Sequence, residues 1–206
     1  FRSAVLPILS PQIVGQRHPT PHLDNKALYI TALLSSKSGK KSLGFIPLPA
    51  ALPPIFLLPG SQGRYLRLEN IIRHWAPKLF GKYVVEETCV ISATRNADLT
   101  FDTEKFEDRE EDFRQLMTKM LKKRANQAIV RLELGQKPSQ TMMDLLTGMI
   151  PVVTGQVYYD SSPLAMGYVS QLEKLLLEEL RAKLTYVPYQ PRWPENLNRQ
   201  ESMIDQ

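Results

Sequence analysis

From Tyr83 to Leu134 the chain reads as a long apolar strand, a charged helix and a second strand. Two short runs frame the helix: Ala93-Thr94-Arg95-Asn96-Ala97-Asp98-Leu99 before it and Ala128-Ile129-Val130-Arg131-Leu132-Glu133-Leu134 after it. Between about Thr103 and Arg124, Phe106, Phe113, Leu116, Met117, Met120 and Leu121 recur at steps of 3, 4 and 7, which makes one apolar stripe on a helix. Asp102 or Thr103 supplies a cap. Six carboxylates from Glu104 to Asp112 fill the first half, and Lys119, Lys122, Lys123 and Arg124 fill the end. That order complements the helix dipole. The stripe is read as core rather than as a cofactor pocket.

Prolines punctuate the rest. Pro7, Pro11, Pro19 and Pro21 forbid a continuous helix or a central strand in residues 1–26. Ala27 to Leu34 reads as a strand, Ser35 to Ser42 as a basic turn around Gly39, and Leu43 to Ile46 as the returning strand of a hairpin. Pro47 to Pro59 is expected to be irregular. Tyr65 to Leu68 reads as a short strand, and Glu69 to Trp75 as a helix with Leu68, Ile71, Ile72 and Trp75 at helical spacing. Further on, Ser139 to Met149 is a short helix stopped by Pro151, Gln156 to Tyr159 a brief strand, and Pro163 to Lys183 a helix with Tyr168, Leu172, Leu175, Leu176 and Leu180 on one side. Pro188, Pro191 and Pro194 end the periodicity.

The chain has 206 residues, 43% hydrophobic and 23% charged, as an ordinary globular protein does. Its single cysteine, Cys89, excludes internal disulfides and sits in an apolar stretch that suits a buried thiol. No apolar run approaches the roughly 18 residues of a membrane span. The net charge of +5 is unevenly spread: residues 1–82 hold 11 Lys/Arg against two acidic residues, and residues 83–206 hold 15 against 19. A basic first part of this kind suits a polyanion; a solvated surface is the plainer reading.

Most site chemistries fail on spacing. Gly39-Lys40-Lys41-Ser42 lacks the earlier glycine of a P-loop, since Leu34 stands there, and Lys41 stands where the magnesium-binding hydroxyl should be. His18 and His22 are four apart, but Pro19 and Pro21 prevent a helix from presenting both to a metal. No Gly-x-Ser-x-Gly elbow occurs.

In wording, the Ala93–Leu99 and Ala128–Leu134 runs resemble the "TRDADL…VRLEV" pattern of the middle, or head, domain of bacterial polyphosphate kinase, the histidine-phosphorylated family with two phospholipase-D-like catalytic domains. Other pieces follow in the family's order. Pro7-Ile8-Leu9-Ser10-Pro11 is similar to "P-(I/V)-L-(T/S)-P". Arg17-His18-Pro19 with Pro21 is similar to the "HPFPF" turn, and Leu52-Pro53 with Leu58-Pro59 to "LPRFV-x-LP". Tyr65 to Ile72 and Leu79-Phe80 resemble "Y-V-P-L-E-D-V-I" and the "LF" after it. Thr20, His22, Pro54 and Asn96 depart from the pattern.

The resemblance implies an α+β fold, a small and mainly antiparallel sheet packed against several helices, similar to the PX domain. It implies a middle domain over residues 1–187 and a linker over 188–206 leading to catalytic domains. The parent enzyme makes polyphosphate reversibly from ATP. Its histidine, magnesium-binding groups and phosphate-clamping arginines belong to those other domains, so no catalytic or metal-ligating residue is carried onto this chain. No cofactor is expected here; ATP and magnesium are implied for the parent. The expected partners are the other domains of the same chain, a second subunit and polyphosphate, with no nucleic acid and no transmembrane segment, in a cytoplasmic enzyme whose association with a membrane is left open. Arg95, Arg131, Arg64, Arg67, Lys40 and Lys41 are the candidate contacts for polyphosphate, a polymer with about one charge per phosphate. For Arg95 and Arg131 the alternative is structural, pairing with Asp98 and Glu133. A free-standing PX-like module for an anion or phospholipid is the rival reading.

Overall fold

Strand β2, Leu28–Ser35, explains most of the architecture, because it is buried on both sides along its length. Tyr29 and Leu33 point into one apolar cluster, and Ile30, Ala32 and Leu34 into another. A strand with two apolar faces must lie inside a sheet covered on both sides. The computed structural model describes residues 3–15, 21–60, 63–96, 114, 117–118, 121–122 and 127–192. It falls into two units, Phe1–Val169 and Ser170–Gln206.

The first unit holds a six-stranded sheet in the order β1-β3-β2-β6-β7-β8. Its strands are β1 (Gln12–Val14), β2, β3 (Lys41–Pro47), β6 (Val84–Arg95), β7 (Ile129–Leu134) and β8 (Val157–Tyr159). All neighbours are antiparallel except β7 and β8. Those two run parallel because helix α2, Gln140–Met149, carries the chain back between them. A small second sheet pairs β4 (Ile55–Leu57) with β5 (Tyr65–Arg67). Helix α1, Leu68–Leu79, follows at once.

The two helices cover opposite faces. Leu68, Ile72 and Ala76 of α1 lie one turn apart and join Ile30, Ala32, Leu34 and Ile46. Met142 and Leu146 of α2 join Tyr29, Leu33, Phe45, Ile91 and Leu132 on the other face. Truncating one such side chain to alanine costs about 2–5 kcal/mol. Ser139 starts α2 by accepting the N–H of Met142 at 3.3 Å. Gly44 in β3 is fixed by packing: a Cβ there would stand 2.5 Å from the ring of Phe80. In the β2–β3 hairpin Gly39 takes φ +78°, and Lys40 closes the turn onto Ser36.

The expected α+β fold with a mainly antiparallel sheet is the fold observed. Three expectations need correction. The segment Pro47–Pro59, expected to be irregular, contains β4, whose partner β5 supplies the hydrogen bonds that its prolines do not block. Helix α1 runs on to Leu79, with Pro77 tolerated in its last turn. Residues 163–183 are not one helix: α3 (Val169–Leu172), a 3₁₀ turn (Glu173–Leu175) and α4 (Glu178–Leu184) follow in series, with Leu176 extended at ψ 141°. Leu177 and Leu180 are exposed, and a short helix that does not bury its apolar stripe has little to hold it together. The helix expected over Thr103–Arg124 lies mostly outside the described residues; Arg114, Met117, Thr118, Leu121 and Lys122 are helical. In the second unit, Arg181 of α4 pairs with Glu173 at 3.0 Å.

Candidate functional site

The six cations expected from the sequence do not gather. Lys40 and Lys41 sit where β3 begins, and Lys41 pairs with Glu86. Arg95 ends β6 at the other end of the sheet. Ser35 pairs with both Lys41 and Val84, so the separation is close to the length of β6, roughly 35 Å for eleven steps of a strand. Arg64 is exposed on the connection between β4 and β5, and its carbonyl accepts the N–H of Leu58. Arg131 pairs with Glu133 at 2.9 Å and lies 4.2 Å from the centre of the Tyr158 ring. Asp98, the other expected partner, lies outside the described residues.

Arg95 is occupied on every side. Its Nε donates to Leu23 O (2.9 Å), its Nη1 to Gln127 O (2.7 Å), and its Nη2 faces His22 Nδ1 (3.4 Å). Its main-chain N–H donates to Asn25 Oδ1 at 2.9 Å. The guanidinium fork fits because its donors point to acceptors on separate segments. Arg95 therefore fastens the chain on both sides of residues 97–126 to the segment around Leu23.

Two of the six open onto clefts: Arg95 lines one of about 380 Å³ with His22, Leu23 and Gln127, and Arg67 lines the larger of the two. The Arg67 cleft, about 460 Å³, lies between the first two turns of α1, the loop after β7 and the loop after β8. Arg67 at the end of β5 and Asn70 and Arg73 on one face of α1 line it, three residues apart. Arg67 Nη1 pairs with Glu69 at 2.8 Å, and both side chains are largely withdrawn from water, 25% and 10% exposed. Arg73 donates from Nε to Thr88 Oγ1 (3.3 Å) and from Nη2 to Thr88 O (3.4 Å) and Gln136 Oε1 (2.9 Å). Gln136 in turn donates to Thr88 O at 3.2 Å. These bonds leave Nη1 of Arg73 unused. Lys137, exposed on the cleft wall, has no carboxylate within pairing distance among the described residues.

Two carboxylates also line the cleft, and each is engaged. Glu69 holds Arg67. Asp160 accepts the main-chain N–H of Ser162 at 2.9 Å; that bond, with the Ser162 hydroxyl second, keeps its carboxyl below the usual carboxylate range. Three cations against two anions leave the cleft one positive charge in excess. Beneath its wall lies Cys89, whose thiol is pushed up to about 11 by burial and is no nucleophile at neutral pH. No group of three His, Cys, Asp or Glu that could hold a metal occurs among the described residues.

Sequence reasoning missed Arg73, Gln136 and Lys137. For Arg73 a signal existed, since it lies on a recognisable helix six residues after Arg67. Gln136 and Lys137 carry none, because only sheet pairing brings the end of β7 beside α1.

Residues 1–172 match a family model described as the polyphosphate kinase middle domain. Over its full length the chain is 30% identical to a polyphosphate kinase of Bacillus cereus, covering 30% of that protein. It is 31% identical to a polyphosphate kinase of Pseudomonas aeruginosa, again over the whole chain and 30% of the relative. The chain thus spans about a third of the curated relatives it matches. A solved polyphosphate kinase structure from Porphyromonas gingivalis shares its fold, with a TM-score of 0.63 over 92% of this chain and 26% of that one, at 17% identity. With the family model matching most of its length, the chain belongs to the polyphosphate kinase middle-domain family.

Proposed function

We propose that this chain works as the middle domain of a polyphosphate kinase that passes the terminal phosphate of ATP reversibly to polyphosphate. It does no chemistry of its own. It holds the catalytic domains in position, supports contact between subunits and turns a cationic surface to the polymer. ATP and magnesium act at the other domains. Residues 1–187 form this domain, and 188–206 lead from it. The parent is a cytoplasmic homo-oligomer.

The match of residues 1–172 to the middle-domain model carries the reading. Relatives of which the whole chain spans only 30% weigh against a free-standing module for lipid or another anion. The excess of Lys/Arg in residues 1–82, 11 against two acidic residues, supports a face for a polyanion. No helix among the described residues is long and apolar enough to cross a membrane.

Transfer of labelled phosphate from ATP to polyphosphate tests the reading. Activity is expected from a full-length protein that contains this chain and not from the chain alone. Turnover by the chain alone would overturn it.

A further inference from the structure

We infer that the cleft between α1 and the loops after β7 and β8 is a binding site for a phosphoryl oxyanion, with Arg73 and Lys137 as its principal contacts. The inference deepens the proposed function and rests on it for the source of the ligand, a segment of inorganic polyphosphate. It replaces the scattered set of six cations with one place.

Three observations support it. The cleft, about 460 Å³, has the size of a small-ligand site. Arg73 is oriented before any ligand arrives: Thr88 and Gln136 take Nε and Nη2 and fix the plane of the guanidinium, and Nη1 has no acceptor among the described residues. A fixed guanidinium loses little side-chain freedom on meeting an oxyanion. Lys137 adds a mobile point charge from a different element, and Asn70 and Ser161 add neutral donors that suit oxygens spread along a phosphate chain. The two carboxylates cancel this only in part. Glu69 is spent on Arg67; Asp160, turned onto Ser162, keeps its charge, so a ligand meets Arg73 and Lys137 against one carboxylate and the balance stays positive.

Arg95, Arg131 and Lys41 do not offer the same combination, although Arg95 also lines a cleft. All three donor nitrogens of the Arg95 guanidinium are engaged, Arg131 is paired and stacked, and Lys41 is paired.

The test uses the 206-residue chain with orthophosphate, tripolyphosphate and long-chain polyphosphate as separate probes. Amide shifts in an isotope-labelled sample are expected to move saturably at Asn70, Gln136 and Ser161. Movement with orthophosphate identifies a site for a single phosphate group; movement only with the longer probes assigns it to the chain of the polymer. No movement there with any probe overturns the inference. Anisotropy of labelled polyphosphate gives a second reading. Lys137→Ala is expected to weaken binding about tenfold at low salt and to lower the slope of log affinity against log salt by about 0.7. Lys37→Ala, at an exposed lysine of the β2–β3 turn, is the control and is expected to change binding less than twofold. Equal effects of the two substitutions, with melting curves unchanged, would mean a diffuse cationic surface and overturn the site. Phosphate transfer by the full-length enzyme separates the two levels: loss of the cleft with transfer intact removes this inference and leaves the middle-domain role standing.

Discussion

Arg95 and Arg73 are both held by main-chain carbonyls, yet they serve different ends. Arg95 closes a corner where the segment around Leu23 meets the two sides of residues 97–126, and all three of its donor nitrogens have protein acceptors. Arg73 ties α1 to β6 and to the loop after β7 through two nitrogens and keeps the third. The first arrangement is a fastener. The second is a fastener that can also bind, because orientation and spare donor capacity occur together. Counting donors, rather than counting charges, tells the two apart.

The largest effect should come from Arg95→Ala. It strands two carbonyls on separate segments, at a cost of about 2–3 kcal/mol read from the urea midpoint. Arg95→Lys should recover little, since one ammonium cannot replace a fork that reaches Leu23 and Gln127 together. Polyphosphate affinity of the folded Arg95→Ala protein should be nearly unchanged; a large loss would erase the distinction between the two arginines.

Arg73→Ala should cost less stability, about 1–2 kcal/mol, because Gln136 still donates to Thr88 O. It should weaken polyphosphate binding about tenfold. Cys89 reports on the same wall: its Sγ lies 3.4 Å from Val90 O and 3.7 Å from Gln136 O. With a thiol value of about 11, it should resist alkylation at pH 8 in the native chain. In Arg73→Ala its labelling should quicken well below the unfolding midpoint. In Arg95→Ala labelling should follow global unfolding, and early labelling there would break the comparison.

Glu69→Gln acts in the opposite sense. It removes the carboxylate that neutralises Arg67 and should tighten polyphosphate binding about threefold at low salt, fading as salt rises. Anisotropy at two ionic strengths decides it.

The smallest effect concerns Asp160. Its carboxyl is held below the usual carboxylate range by Ser162, so the folded chain binds a proton there less readily than the unfolded one. The stabilisation is present above the ordinary range, near pH 4, and is lost as pH falls through the lowered folded value. Carboxyl resonances followed against pH should place Asp160 below the usual aspartate range, and Asp160→Asn should leave the melting curve at pH 7 almost unmoved.

How much of this could be read beforehand differs by element. The hairpin of β2 and β3 was legible because apolar strands flank a basic turn with a glycine at its tip, where φ is +78°. Helix α2 was legible through Ser139 and Pro151, which mark its two ends. By contrast β4 was hidden, since prolines surround it and its partner lies on the far side of a loop. The apolar spacing over residues 163–183 suggested one helix, but spacing says nothing about whether a surface exists to bury the stripe. Of the cleft, only Arg67 was named from the sequence.

The sequence by itself determined the family, the strand–helix punctuation and the apolar faces, because those depend on neighbours within a turn or two of the same element. The tertiary structure decided which cations meet. Arg73 on α1 lies 63 residues before Gln136, with Lys137 next to it, just past β7, and only the pairing of β6 with β7 brings them to one wall. It also decided which charges are free, since a charge in a sequence carries no record of the acceptor that consumes it. Arg95 and Arg73 look alike as letters; their difference lies in how many acceptors the fold places within reach of each.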